Sequence, residues 1–431
     1  MPRAARISRL EGCCLLLITA AVGAQEPLSA VEAQQLVDQR RHRLTAEEFA
    51  RVVTAADATA LDLSHCKGLE PDALALLQRM PRLESLALHD CGGLVRGVEH
   101  LEALPALRSL DASKNREWDL DGLQRLTQLR ELDLNGCDGV RDRELRRLEP
   151  LVGLRTLRLY GCHKITDEGF NRLFQELTEL ETLELAFCWW HEGHDLVLPP
   201  NLVHLDLHES KRLVDAAIVN LRNKDGLRTL NLFQCLVLTD TALAALDGLT
   251  QLEWLDVGSI RALTDDGLAH VGTLVGLRHL SLCDNPHFTG AGVAQLAGLT
   301  RLRELNLWNC EAVDDRALDA VREMSELERL TLSSCPRIGD AGLRQLAGLR
   351  ALRRLHLDGC LRVSGAGLRA LARAPLEELT LRRCTQLQDG DLDALRSVPQ
   401  LRYLDVRDCP ELSRAAIDAL RAALPGCRIR P

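Results

Sequence analysis

Apolar residues in this chain recur with two alternating periods. One is the segment Leu-x-x-Leu-x-Leu-x-x-Cys, whose Leu-x-Leu centre alternates as a strand with one buried face does. It reads LESLALHDC ending at Cys91, LRELDLNGC at Cys137, LRTLNLFQC at Cys235, LRELNLWNC at Cys310 and LRYLDVRDC at Cys409. The other period spaces apolar residues by three or four, as in Thr239-Asp240-x-x-Leu243-x-x-Leu246-x-x-Leu249. That spacing predicts a helix, and the Thr or Asp before it is an N-cap. The same opening recurs as ITDEGF from Ile165, LTDDGL from Leu263 and IGDAGL from Ile338.

The two patterns alternate as a repeat. With the second strand leucine as marker, copies run from Leu63, Leu88 and Ala112 to Leu381 and Val406, about fifteen in all. Between Leu207 and Leu357 every step is 25 residues. One short strand cannot bury its leucines alone, but stacked copies share one continuous core. Helices are wider than strands, so strands should line a concave side and helices a convex one. Thr45-Ala46-Glu47-Glu48 has the form of a capping box opening a helix through Val53. Ser413–Leu424 reads as a last helix and Cys427-Arg428-Ile429 as a closing strand. The expected organisation is a leader over 1–24, an N-terminal helical cap over 25–57, repeats over 58–412 and a C-terminal cap over 413–431.

These segments resemble the cysteine-containing leucine-rich-repeat class found in F-box adaptor proteins and bacterial relatives, over about residues 58 to 412. The resemblance implies an α/β solenoid, a horseshoe with a concave parallel β-sheet and convex helices. It also implies one functional reading, a cytosolic substrate receptor in ubiquitin-dependent degradation, or a bacterial effector that mimics one. Residues 25–57 hold no recognisable F-box, which weakens that reading.

Eleven of the 15 cysteines hold one repeat position, from Cys66 to Cys409. Asn115 and Asn285 replace Cys there, so the position asks for a small donor to turn backbone. The reading is a buried structural ladder rather than metal or redox chemistry. No C-x-x-C pair supports zinc. The chain is 46% hydrophobic and carries a formal charge of −9. Such an acidic chain, without a long basic run, is a poor partner for nucleic acid. Arg3, Arg6 and Arg9 precede an apolar run from Cys13 to Ala24, which ends Val22-Gly23-Ala24. That is the order of a secretory signal peptide, too short to span a membrane, and it implies export. The alternative is the apolar start of a cytoplasmic protein. Free thiols suit a reducing compartment, so the two signals conflict.

Candidate contacts lie at the strand positions flanking the core leucines. Tyr160, Phe233 and Trp308 follow the second core leucine of their copies, and Phe187 lies one place further on. Trp254 and Tyr403 precede the first core leucine. Exposed rings there are anchors for a protein, glycan or peptide partner, or they pack across neighbouring rungs. Asp133, Asp206, Glu209, Asp256 and Asp284 make the middle acidic, while Arg329, Arg354, Arg382, Arg383 and Arg407 make the last rungs basic. The irregular stretch Trp189-Trp190-His191-Glu192-Gly193-His194 reads as local packing or a contact loop, with metal binding the lesser reading. His204, Asp206 and His208 share a strand, but no nucleophile elbow, P-loop or dinucleotide motif accompanies them. The expectation is a binding scaffold with no cofactor, not an enzyme.

Overall fold

The computed structural model of the chain describes residues 26–188 and 193–431. The described residues form two compact units. The first holds those up to 188 with Leu196–Leu202, the second 193–195 with Val203–Pro431. Each is a leucine-rich-repeat solenoid of the expected α/β kind.

In the first unit the strands are β1 (Ala60–Asp62), β2 (Ser85–Ala87), β3 (Ser109–Asp111), β4 (Glu131–Asp133), β5 (Thr156–Arg158) and β6 (Thr182–Glu184). In the second they are β7 (His204–Asp206), β8 (Thr229–Asn231), β9 (Trp254–Asp256), β10 (His279–Ser281) and β11 (Glu304–Asn306). They continue as β12 (Arg329–Thr331), β13 (Arg354–His356), β14 (Glu378–Thr380), β15 (Tyr403–Asp405) and β16 (Arg428–Arg430). Neighbours within a unit pair in parallel, core leucine to core leucine, as Leu255 with Leu280 and Leu330 with Leu355. The central leucine of each strand, Ile429 in β16, is buried, and apart from Asp405 the flanking residues stay partly open on the strand face.

The cysteine ladder is a hydrogen-bond device. Cys310 Sγ–H donates to Leu282 O at 3.2 Å, one rung back, and Cys335 to Leu307 O at 3.1 Å. Asn285 does the same job with two donors, Nδ2–H to Val257 O and to Leu282 O, and its Oδ1 accepts Ile260 N–H. Burial pushes the thiols up, to about 12 at Cys310 and Cys335. They are therefore poor nucleophiles, because the thiolate is the reactive form.

A second ladder explains the Thr-Asp-x-Gly opening of the helices. Thr264 caps the helix Asp265–Val271 by accepting from Asp266 N–H. Its own N–H and Oγ1–H donate to the carboxylate of Asp240, the equivalent aspartate one rung earlier, at 2.9 and 2.6 Å. Gly267 is required beside it, because a Cβ there would stand 2.4 Å from Asp240 Oδ1. The helical halves are not all α. Pro71–Arg79, Gly92–Ala103 and Leu123–Arg125 are 3-10 helices, and none has a side-chain cap. Their apolar residues, such as Val95, Val98 and Leu101, repeat every three, the period of a 3-10 turn. Where Thr166, Thr239, Thr264, Thr289 or Ser364 caps the free N–H groups, an α-helix forms.

Ahead of β1 lie two helices. Ala30–Arg40 opens on a Ser29–Glu32 capping box and Ala46–Val52 on the Thr45–Glu48 one. Gln34 covers the strand edge. Its amide donates to Asp62 O at 3.1 Å and accepts Asp62 N–H at 2.9 Å, as a neighbouring strand would. Behind β15, the helix Arg414–Ala423 is capped by Ser413, and β16 pairs with β15.

Candidate functional site

A short turn follows every strand and sets the surface of the face. The residue between the two core leucines is commonly Asp or Asn, and it accepts the N–H of the residue after the second leucine. Asp206 holds His208 N–H at 3.0 Å, Asn231 holds Phe233 at 3.1 Å, Asp256 holds Gly258 at 2.8 Å and Asn306 holds Trp308 at 3.0 Å. The next residue takes a left-handed backbone in rung after rung, with φ of 56° at Glu209, 58° at Gln234, 57° at Asp284 and 58° at Asn309. Its N–H bonds across to the next rung, as Gln234 to Gly258 O and Asp284 to Trp308 O. The sequence reading took the aspartates as contact residues only and missed this turn position altogether.

The most one-sided stretch is β7–β11. Counting the two open strand positions and the two residues after the second core leucine, it holds Asp206, Glu209, Asp256, Asp284 and Glu304, and no Lys or Arg. Glu304 pairs outward with Arg329 at 2.6 Å and touches His279 at 3.3 Å. Asp206 lies 2.7 Å from His208 Nδ1. Asp284 accepts from Ser259 Oγ at 3.0 Å and Asn309 Nδ2 at 2.6 Å. Burial pushes the Asp256 carboxyl above the usual range, outweighing the Gly258 N–H and the Ser281 hydroxyl that favour its charge. Among these carboxylates stand three rings. Trp254 and Phe233 are half-buried, and Trp308 is 46% exposed. Phe233 leans over the next rung, where Gly258 makes room; a Cβ there would lie 3.0 Å from the ring.

The last rungs correct the expectation of a basic end. Arg354 lies 3.8 Å from Glu378, Arg382 and Arg383 lie 3.4 and 3.7 Å from Asp408, and Arg407 grips Asp405 with two bonds. Arg382 N–H also donates to Asp358. Each predicted arginine thus lies beside a carboxylate, with Asp408 shared by Arg382 and Arg383 and Arg329 facing Glu304 of β11, and the field there largely cancels. The gradient runs from acidic to neutral.

Tyr160 and Phe187 come together in the first unit, stacked at 5.2 Å and 13°, with His163 5.5 Å from Phe187. They line a groove of about 460 Å³ whose other wall carries Lys114 and Arg116. Gly136 and Gly161 hold the left-handed turn position on two adjacent rungs, so the groove has no side-chain wall there. Of the other described rings, Phe49, Trp118, Phe170, Phe174 and Phe288 are core, and Tyr403 is half-buried with its hydroxyl donating to Asp405 Oδ2 at 3.3 Å. His204 bonds Thr229 Oγ1 at 2.9 Å. Of the irregular stretch, residues 189–192 lie outside the described ones. Among described residues no group of His, Cys, Asp and Glu could hold a metal, and no helix is long and apolar enough to cross a membrane.

No family model matches the chain, and no curated protein matches it. Solved structures do. A leucine-rich-repeat protein of Leptospira interrogans, LIC12759, overlays with a TM-score of 0.63 at 18% identity, over 94% of this chain and 100% of that one. TLR13, solved in complex with ssRNA13, overlays with a TM-score of 0.53 at 19% identity, over 82% of this chain and 58% of that one. Likeness at such identities is one of fold. It places this chain among leucine-rich-repeat solenoids and says nothing of its partner.

Proposed function

We propose that this chain is a binding scaffold that holds a protein partner on its strand face, and that it works outside the cytoplasm. The observation that carries the first half is Trp308. A tryptophan 46% exposed, on a backbone fixed by Asn306, contributes little to the fold and much to an interface. The rung scaffold supplies rigidity, so binding costs little ordering of the site. A phosphate-rich partner such as the RNA bound by TLR13 would meet five carboxylates and no Lys or Arg on β7–β11, which disfavours it.

Export is supported by the Arg3, Arg6 and Arg9 leader pattern and by thiols whose burial makes them slow to oxidise. These features reconcile free cysteines with an oxidising compartment. The mass of the native N-terminus tests this half. A start at Gln25 in an exported fraction supports it; an intact Met1 in the cytoplasm overturns it and restores the adaptor reading. For the scaffold itself, a photo-reactive residue replaces Gln234 on the strand face, or Asp225 away from it, in the native host. Adducts are expected from position 234 alone. Equal adducts from both positions, or from 225 only, sink the reading.

A further inference from the structure

We infer that the strand face of β7–β11 takes a short arginine- or lysine-bearing segment of another protein. This deepens the scaffold reading and rests on it. Three observations carry it.

The first is charge without compensation. Asp206, Glu209, Asp256 and Asp284 make no ion pair with a Lys or Arg among the described residues, whereas Glu378, Asp405 and Asp408 of the following rungs do. A surface that leaves one sign unpaired over adjacent rungs, while its neighbours cancel theirs, selects and steers a partner of the opposite sign.

The second is preorganisation. Asp206 and Asp256 are clamped by the turn N–H groups of His208 and Gly258, and Asp284 by Ser259 and Asn309. Each clamp uses Oδ1 or spares a lone pair, so a carboxylate oxygen remains to accept from a guanidinium or ammonium. The side chains need not order on binding, and the entropic cost of a surface ion pair is reduced.

The third is the placement of the rings. Trp254, Phe233 and Trp308 sit between and beside the carboxylates. A guanidinium stacks on an indole face while its N–H groups reach a neighbouring carboxylate. Gly258 and the buried Cys283 lie between Phe233 and Trp308 in the same column, so no long side chain stands between the two rings. Five rungs at about 4.8 Å span about 19 Å, the length of about six residues of extended chain.

The test uses the full chain and a labelled hexa-arginine peptide, with binding read by fluorescence anisotropy. One variant combines Asp206→Asn, Asp256→Asn and Asp284→Asn. Asparagine keeps the turn bond at 206 and 256, as Asn231 and Asn306 do in the same column, and Asn309 already holds the left-handed position that Asp284 occupies, so charge is removed with the fold retained. A control removes as much charge from exposed positions elsewhere, with Asp225→Asn, Glu311→Gln and Asp319→Asn. A third variant is Trp308→Ala. We expect the face variant to weaken binding about tenfold or more, Trp308→Ala about fivefold, and the control less than about twofold. Equal losses in face and control variants mean that the peptide reads net charge only, and they overturn the inference. So does undiminished binding by the face variant. The cross-link from position 234 separates the two readings. A partner captured there through a segment without Arg or Lys ends this inference and leaves the scaffold standing. Hexa-arginine bound at the face, with no partner cross-linked from position 234, overturns the scaffold reading and, with it, the inference that the face serves another protein.

Discussion

The strands β7–β11 and β12–β15 share one scaffold and differ in what stands on it. Both sets pair core leucines in register, and both carry the Sγ–H bond from cysteine to the previous rung. On β7–β11 the acids Asp206, Asp256 and Asp284 bond their own turns and neighbouring hydroxyl or amide groups. On β12–β15 the acids Glu378, Asp405 and Asp408 face arginines. A count of charges makes the first region acidic and the second basic. Geometry leaves the first acidic and makes the second neutral. The two regions therefore differ in which charges lack an opposite partner more than in how many charges each holds.

The sharpest way to break the comparison is to show that the scaffolds differ. Leu280→Ala in β10 and Leu330→Ala in β12 empty equivalent sites, both essentially inaccessible to solvent. Each should cost about 2–5 kcal/mol, the lost transfer of the side chain plus the cavity left behind. Urea unfolding of the two variants should give losses that agree within about 1.5 kcal/mol. A larger gap would mean that the rungs are not interchangeable.

The fold was legible in the sequence because its signals are periodic and local. Leu-x-Leu fixes the strand, and the Asn115 and Asn285 exchanges reveal that the cysteine position needs a donor. The rings Phe233, Trp254 and Trp308 were placed on the face by register alone. The arginine pairings were not legible, because Arg382 meets Asp408 across 26 residues and only stacking of the rungs brings them together. The left-handed turn position was hidden for another reason. It accepts His65, Lys114, Glu209 or Arg383, with no common chemistry, because a bond to the next rung rather than residue type holds it there. The role of Gly267 in making room for Asp240 was invisible until two rungs were seen together.

Two aspartates in the same strand column titrate in opposite directions, and that offers the next test. Burial pushes Asp405 upward, but the side-chain and backbone bonds of Arg407 outweigh it and hold the carboxyl below its usual range. Burial pushes Asp256 up with no arginine to oppose it. For Asp405 the charged form is favoured by folding, so its contribution is present above about pH 4 and fades as pH falls below that. For Asp256 the charged form is penalised by folding. Its penalty is absent below about pH 4 and grows as pH rises through its folded value. Asp405→Asn should therefore lower the unfolding free energy from urea titration at pH 7, by about 1–3 kcal/mol, and much less at pH 3. Asp256→Asn should leave stability unchanged or raise it at pH 7, with no gain at pH 4. Asp133, pushed up to about 6 by burial with Asp111 and Glu184 nearby, should behave as Asp256 does. Equal effects of the two substitutions would remove the distinction between paired and unpaired rungs.

A smaller effect is expected where the regions are alike. Cys310→Ala and Cys360→Ala each remove one weak Sγ–H bond and a little packing, and each should cost about 1 kcal/mol. In the native chain both thiols should resist iodoacetamide at pH 8, because burial holds each well above the ordinary thiol range. Rapid alkylation of one but not the other, followed by mass spectrometry, would show that one region opens more readily.

The smallest change in stability belongs to the residues on which the comparison turns. Trp308 is half open to solvent, and Arg354 is exposed, with its Glu378 partner 3.8 Å away. An exposed pair at that distance contributes almost nothing, and an indole already in water loses little when truncated. Trp308→Ala and Arg354→Ala should each change the unfolding free energy from urea titration by no more than about 0.5 kcal/mol. With folding equal, any difference between them in partner binding belongs to the face. Loss with Trp308→Ala and none with Arg354→Ala places recognition on β7–β11. The reverse result moves it to the rungs whose charges cancel, and then the arginines must leave their carboxylates to bind.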